Sequence, residues 1–159
     1  MAALKTNVMR ILDSAKIPYN TYTYDNTDGA IDGVSVANKI GQSVEKVYKT
    51  LVTRGASKNF FIFVIPVMRE LNLKAAAKSV GEKSIEMIRM DEINKVTGYI
   101  RGGCSPIGMK KNYKTVIDSS CENIDTIIFS AGKIGYQVEL SPEVLINFIN
   151  AGVNSITED

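Results

Sequence analysis

Two kinds of hydrophobic pattern alternate along the 159-residue chain. Apolar residues at three- and four-residue spacing, with capping and glycine signals, predict helices over 4–17, 34–40, 73–80, 91–96 and 142–149. Runs rich in β-branched and aromatic residues predict strands over 19–24, 49–53, 59–67, 85–89, 114–117, 126–129 and 136–140. Ser43 is also a suitable N-cap residue, so a further short helix is expected over 43–47.

The segment 60–65 is apolar at every position, which predicts a strand buried on both faces. Several neighbouring strands are joined by turns too short for a parallel crossover, so most pairs are expected to be antiparallel. We therefore expect an α/β (α+β) fold, with a mixed, mainly antiparallel, curled and barrel-like sheet flanked by helices. The length suits one domain spanning 1–159 and large enough to bury a core.

The composition indicates in which cellular compartment the protein works. The chain has no run of about 18 apolar residues, and charged residues interrupt its N-terminal segment, so neither a membrane span nor a signal peptide is expected. The two cysteines, Cys104 and Cys121, form neither a disulfide framework nor a metal-binding spacing. We expect a cytoplasmic monomer with free thiols, no bound metal and no cofactor.

Histidine is absent from the chain. This absence excludes catalytic triads, general bases and metal sites that depend on histidine. Any chemistry must therefore use lysine, carboxylates, hydroxyls, thiols, backbone amides or groups that the substrate itself brings.

The charge is unevenly distributed, although the net charge is only +2. Residues 39–114 contain 15 Lys and Arg against 6 Asp and Glu, whereas the rest of the chain contains 4 against 11. A basic excess suits a polyanionic partner such as RNA, because phosphate neutralisation supplies most nonspecific nucleic-acid affinity. Lysines that only solvate the surface would give the same counts, so both interpretations stay open.

The segment 97–108 contains four glycines and a proline, which excludes a regular helix or a central strand. The pair Gly102-Gly103 can expose consecutive backbone N–H groups to a phosphate or a developing oxyanion. A tight surface turn is the ordinary alternative for such a pair. The spacing matches neither a Walker loop nor a dinucleotide-binding motif.

Three motifs, in the same order along the chain, resemble the YbaK family of aminoacyl-tRNA deacylases, which are related to the editing domain of bacterial prolyl-tRNA synthetase. The motifs are Val47-Tyr48-Lys49-Thr50-Leu51, Gly98-Tyr99-Ile100-Arg101-Gly102-Gly103-Cys104-Ser105-Pro106-Ile107-Gly108 and Ser130-Ala131-Gly132-Lys133. The resemblance covers nearly the whole chain and implies the same fold type. It also implies aminoacylated tRNA as a partner and a transient complex with prolyl-tRNA synthetase.

The resemblance implies roles for individual residues. Lys49 is implied to hold the terminal adenosine and ester of a charged tRNA or to stabilise negative charge, while Gly102 and Gly103 orient the aminoacyl carbonyl and stabilise its oxyanion. The implied substrate-binding residues are Tyr24, Ser105, Gly108 and Ser130. From the hydrophobic pattern alone, Lys49 could instead extend from a strand end to solvent. Tyr24 could equally be an ordinary core residue.

Neither serine has a histidine to activate it, so binding is favoured over nucleophilic attack. Cys104 lies in the longest motif, but the family usually has apolar residues there, so we expect a small packing residue and not a nucleophile. Two positions depart from the family pattern: Ala131, where members often have glycine, and Gln137, where many have aspartate. Both adjoin the expected pocket, so the amino-acid specificity stays open.

The implied function is trans-editing, the removal of a wrong amino acid from tRNA. Cysteine on tRNA(Pro) or tRNA(Cys) is the expected substrate, with the cysteine thiol attacking its own ester carbonyl. This route suits a chain without histidine, because the nucleophile arrives with the substrate. The alternatives are a deacylase for alanine or another small amino acid, and a noncatalytic RNA- or nucleotide-binding module.

Overall fold

A computed structural model describes residues 4–158 of the chain. The helices are α1 (Asn7–Ser14), α2 (Gly33–Lys39), α3 (Leu73–Ser79), α4 (Ile93–Thr97) and α5 (Pro142–Ile149). The strands are β1 (Asn20–Thr23), β2 (Tyr48–Gly55), β3 (Phe60–Pro66), β4 (Ile85–Met87), β5 (Lys114–Asp118), β6 (Ile127–Ser130), β7 (Tyr136–Leu140) and β8 (Gly152–Asn154). Two 3₁₀ turns cover Met90–Glu92 and Ser119–Asn123. No helix in this part of the chain is both long and apolar enough to cross a membrane.

The strands form two sheets. The larger sheet has the order β4-β2-β3-β5-β8, and the smaller one has the order β1-β7-β6. The pairs β3–β5 and β5–β8 are parallel, whereas the other four pairs are antiparallel. The expected mixed, mainly antiparallel α/β fold is therefore confirmed. The two sheets are not closed into a barrel, although a single parallel bridge between Val47 and Ile128 joins them.

Strand β3 is the centre of the core, as its uninterrupted apolar sequence predicts. On one face, Ile62 and Val64 pack in a cluster that includes Leu12 of α1. On the other face, Phe61, Phe63 and Ile65 pack in a cluster that includes the alanines of α3. The strand is thus buried from both sides, and α1 and α3 cover opposite faces of the larger sheet.

The buried Glu139 carboxylate ties the smaller sheet together and joins it to the start of β2. Glu139 accepts hydrogen bonds from Asn20 at 3.2 Å, Tyr22 at 2.9 Å and Thr126 at 2.7 Å. It also forms an ion pair with Lys46 at 3.3 Å. Burial raises the pKa of this carboxyl, but the hydrogen bonds outweigh burial and hold the pKa below its usual value.

Two local predictions are wrong, and one strand was not predicted. Residues 43–47 form a turn and not a helix, because Val47 already pairs with Ile128 as an extended residue. Helix α1 is shorter than 4–17, since the Thr6 side chain caps it by accepting from the Met9 N–H at 3.2 Å. Strand β8 was not predicted, because its three residues carry little hydrophobic pattern of their own and pair only beside β5.

The central position of β3 predicts a large effect of truncating its side chains. Ile62 is fully buried, so Ile62→Ala is expected to lower the free energy of unfolding by about 2–5 kcal/mol. Met68 is 43% exposed, so the matched variant Met68→Ala is expected to change it by about 0.5 kcal/mol or less. Urea denaturation followed by circular dichroism measures both, and equal losses in the two variants would contradict this account of the core.

Candidate functional site

A cavity of about 780 Å³ lies against the first half of β2 and brings together all three sequence motifs. Its walls come from 47–51, from the start of α2, from the glycine loop at 101–104 and from the ends of β6 and β7. The volume is within the range of small-molecule sites in proteins. Four of the residues that sequence analysis selected line it: Tyr24, Lys49, Gly102 and Ser130.

Three buried side-chain oxygens within residues 4–158 have no hydrogen-bond partner, and all three belong to residues that line this cavity. They are the Tyr24 hydroxyl, the Thr50 hydroxyl and the Gln137 Oε1. An unpaired buried polar atom costs about 1–3 kcal/mol, so native proteins rarely keep several of them together. Their grouping around one cavity makes that cavity the candidate binding site for a polar ligand.

The cavity has a positive charge balance. Lys49 is half-buried on β2 and forms no ion pair with any described carboxylate, and Arg101 is exposed on the glycine loop. Asp32 is the one carboxylate of the lining, and it caps α2 by accepting from the Ser35 hydroxyl at 2.6 Å and the Ser35 N–H at 3.1 Å. The two cations are therefore free to act on an anionic or polarised ligand.

The two glycines of the loop have different surroundings. Gly102 has φ +87°, which favours glycine, and a Cβ there would lie 2.9 Å from the Ile31 side chain. The Gly102 N–H makes no hydrogen bond with any described residue, whereas the Gly103 N–H donates to the Ile100 carbonyl at 3.0 Å. Gly103 is buried outside the cavity lining, where a Cβ would lie 3.2 Å from the Ile134 nitrogen. In this conformation, only Gly102 of the pair offers an amide near the cavity.

Ser130 and Gln137 lie directly opposite one another on β6 and β7. The Ser130 Oγ accepts from the Gly132 N–H at 3.1 Å, which leaves its hydroxyl hydrogen available to donate to a ligand. Because the pair comes from two strands of the smaller sheet, the cavity is shared between the two sheets.

Ser105 and Gly108 are not part of this cavity. Ser105 is fully buried, and its Oγ accepts from the Ile107 N–H at 3.3 Å, so it stabilises the turn at Pro106. Gly108 has φ +81° and lines a different cavity, next to Met109 and Phe148. A Cβ on Gly108 would lie 2.7 Å from the Tyr99 hydroxyl, so this glycine allows close packing of the loop.

Cys104 lines the cavity but has the properties of a packing residue. Burial raises the pKa of its thiol to about 12, although a hydrogen bond with Thr97 acts in the opposite direction. At neutral pH the thiol is therefore protonated, whereas a nucleophilic cysteine needs the thiolate. Cys121 is also a free thiol, and it is buried away from the cavity lining.

Thr50 and Arg101 lie inside the motifs but are not among the site residues that the sequence predicts. Thr50 directly follows Lys49, so its place in the same motif was the available signal. Gln137 was noted only as a departure from a family pattern, and its buried, unpaired oxygen gives it a place in the site. Among the described residues, no group of three or more Cys, Asp or Glu side chains is arranged to hold a metal ion.

Comparison with known proteins gives a consistent result. A family model described as the aminoacyl-tRNA editing domain matches residues 30–148. A protein of Enterococcus faecalis, named "Putative Cys-tRNA(Pro)/Cys-tRNA(Cys) deacylase EbsC", is 41% identical over 96% of this chain and 93% of its own length. A proline–tRNA ligase of Thermosipho melanesiensis is 25% identical over 64% of this chain, which corresponds to 18% of the ligase.

A solved structure supports the fold. The crystal structure titled as a putative trans-editing enzyme for prolyl tRNA synthetase superimposes with a TM-score of 0.82 and covers 99% of this chain and 100% of that one. Its sequence identity is 18%, so the likeness concerns the fold. The family model and the 41% identical relative carry the assignment further, and the chain belongs to the aminoacyl-tRNA editing domain family.

Proposed function

We propose that this protein is a trans-editing deacylase that removes cysteine from tRNA(Pro) and tRNA(Cys). The observation that carries the proposal is the cavity in which Lys49 meets three unpartnered buried oxygens. Such a lining binds a polar ester and its ribose, but its one carboxylate, Asp32, already accepts two hydrogen bonds from Ser35, so the lining offers no unengaged base to activate a nucleophile. The name of the Enterococcus relative, whose whole length this chain nearly matches, supports cysteine as the amino acid.

Each group of the lining has a role that follows from its hydrogen-bonding capacity. The hydroxyls of Tyr24 and Thr50 can donate or accept, whereas the Gln137 Oε1 can only accept, so it suits an ammonium or hydroxyl hydrogen of the substrate. Lys49 and the Gly102 N–H stabilise the negative charge that develops on the carbonyl oxygen. Ser130 donates to the terminal nucleoside.

The substrate supplies the nucleophile in this mechanism. The cysteine sulfur attacks the ester carbonyl carbon while the thiol loses its proton, and the bond to the ribose oxygen breaks. That oxygen takes up a proton to become the terminal hydroxyl of free tRNA, and the amino acid leaves as a cyclic thiolactone. The protein contributes orientation and charge stabilisation, which suffices because an intramolecular attack has a high effective molarity.

The proposal extends to how the protein works in the cell. We infer a cytoplasmic, single-domain monomer without a cofactor, which meets prolyl-tRNA synthetase transiently while both handle the same tRNA. The similarity to a segment of a proline–tRNA ligase supports this encounter, because a free-standing editing domain would act on the charged tRNA that the ligase produces.

Lys49→Ala is expected to lower the turnover of cysteinyl-tRNA by about 10²-fold or more, because a charge that stabilises the oxyanion is lost. The matched control is Lys83→Ala, since Lys83 is exposed and lies outside the cavity lining. First-order release of labelled cysteine measures the rate, and thermal melts confirm that both variants fold. Near-native turnover by a folded Lys49→Ala protein would remove Lys49 from the chemistry.

Cys104→Ser is expected to keep turnover within about tenfold of the original protein, because the thiol is protonated and has no nucleophilic role. The thiol pKa of about 12 also predicts slow alkylation by iodoacetamide at pH 8, with a rate that rises with pH. Mass spectrometry follows the alkylation of Cys104. Loss of activity at unchanged thermal stability would instead identify Cys104 as the nucleophile.

A panel of aminoacylated tRNAs with one tRNA body tests the reaction itself. Cysteinyl-tRNA is expected to be cleaved on the order of 100-fold faster than seryl-tRNA, because a hydroxyl is a much weaker nucleophile at neutral pH. Alkylation of the substrate thiol is expected to abolish cleavage, and mass detection is expected to find the thiolactone. Equal cleavage of seryl- or alanyl-tRNA with release of the free acid would make water the nucleophile and small amino acids the substrates. Binding of the charged tRNA without release of its amino acid would indicate a noncatalytic binding module.

A further inference from the structure

The segment 93–117 contains five basic residues and no Asp or Glu. The basic residues are Lys95, Arg101, Lys110, Lys111 and Lys114. All five are exposed, and none forms an ion pair with any carboxylate of residues 4–158. Elsewhere in the fold, five of the fourteen basic residues have a carboxylate partner, namely Lys5, Lys39, Lys46, Arg54 and Arg89.

The fold brings four of these lysines to one face. The loop returns to α4 through a hydrogen bond from the Lys110 N–H to the Thr97 carbonyl at 3.1 Å. The Lys110 Nζ also donates to the Lys95 carbonyl at 3.3 Å. Lys95, Lys110 and Lys111 line one groove of about 380 Å³, and Lys111 and Lys114 line the adjoining cavity of about 700 Å³. We call the four residues Lys95, Lys110, Lys111 and Lys114 the lysine face.

The one carboxylate in this groove does not neutralise the lysine face. Glu92 lines the groove, but it forms a hydrogen-bonded ion pair with Arg54 of β2. The hydrogen bond from Arg54 holds the pKa of Glu92 below its usual value, which keeps the pair charged on both sides. The four lysines therefore present their full positive charge to solvent.

The lysine face is next to the reaction cavity. Met90 and Glu92 are two residues apart in the same 3₁₀ turn, and Met90 lines the reaction cavity while Glu92 lines the groove. Arg101 lines the reaction cavity and its guanidinium contacts the Met90 sulfur at 2.9 Å. A ligand that extends out of the cavity past this turn would reach the lysines.

The aromatic residues near the lysines are not arranged to stack on bases. Phe60 and Tyr113 pack edge to face, with centroids 5.9 Å apart at an interplanar angle of 80°. The Tyr113 hydroxyl donates to the Val96 carbonyl at 2.7 Å, which fixes the ring. Flexible lysines around fixed aromatic rings suit phosphate groups, whereas single-stranded bases need exposed aromatic platforms.

We propose that the lysine face binds the phosphate backbone of the acceptor stem of the same tRNA whose aminoacyl end enters the reaction cavity; this inference rests on the proposed function. The cavity of about 780 Å³ has room for an aminoacylated nucleoside but not for the following helix. The stem must therefore lie on the surface outside, where the lysine face borders the cavity.

The test compares two triple variants. Lys95→Ala/Lys111→Ala/Lys114→Ala removes charge from the lysine face and keeps Lys110, which packs near Gly98. The control, Lys74→Ala/Lys78→Ala/Lys83→Ala, removes three lysines that are also exposed and form no ion pair with a described carboxylate. Each variant is assayed with full-length cysteinyl-tRNA and with cysteinyl-adenosine, a minimal ester without a stem.

The lysine-face variant is expected to raise KM for cysteinyl-tRNA about tenfold or more, with little change in kcat. The slope of log affinity against log salt is expected to fall by about two to three, since each lost phosphate contact removes about 0.9. Turnover of cysteinyl-adenosine is expected to stay unchanged in both variants, and the control is expected to retain the original KM for tRNA.

Two results would overturn the inference while leaving the proposed function intact. One is an unchanged KM for cysteinyl-tRNA in the lysine-face variant, and the other is an equal rise in the control. If neither ester were cleaved by the original protein, the proposed function would fail, and binding of uncharged tRNA would decide the lysine face separately. Fluorescence anisotropy with labelled tRNA would measure this affinity. A loss of affinity in the lysine-face variant alone would support the lysine face as the tRNA-binding surface, and any other result would refute it.

Discussion

The structure depends on the burial of β3 from both sides. Because every position from 61 to 65 is buried, the strand has to be covered by α1 on one face and by α3 on the other. Its antiparallel pairing with β2 sets Lys49 opposite Ile65 and Thr50 opposite Val64. Its parallel pairing with β5 fixes where the chain leaves the glycine loop. The same strand therefore determines the core and the positions of two motifs of the site.

The site departs from the packing rules that the rest of the core obeys. Glu139, although buried, has hydrogen bonds from three side chains and an ion pair with Lys46. In contrast, the oxygens of Tyr24, Thr50 and Gln137 are buried without partners in the protein. A substrate that forms hydrogen bonds with these oxygens would recover this free-energy cost on binding.

The charged side chains of the fold are used in two ways. The one acidic side chain of the smaller sheet, Glu139, is paired internally, whereas the cavity and the segment 93–117 present lysine and arginine to a ligand. A nucleophile on the substrate allows a chain without histidine to catalyse ester cleavage with such fixed charges and amides. The protein is thus suited to bind and orient a reactive polyanionic substrate.

The sequence by itself determined the helices and strands with strong hydrophobic patterns, the doubly buried β3 and the exclusion of histidine chemistry. It did not determine β8 or the turn at 43–47, because these depend on pairing with distant strands and not on local preference. Nor did it separate Gly102 from Gly103, or place Ser105 and Gly108 outside the cavity, since motif spacing does not say which way a loop faces. Only the tertiary structure brought Tyr24, Thr50 and Gln137 together, because three distant segments meet there only after the two sheets have packed around β3.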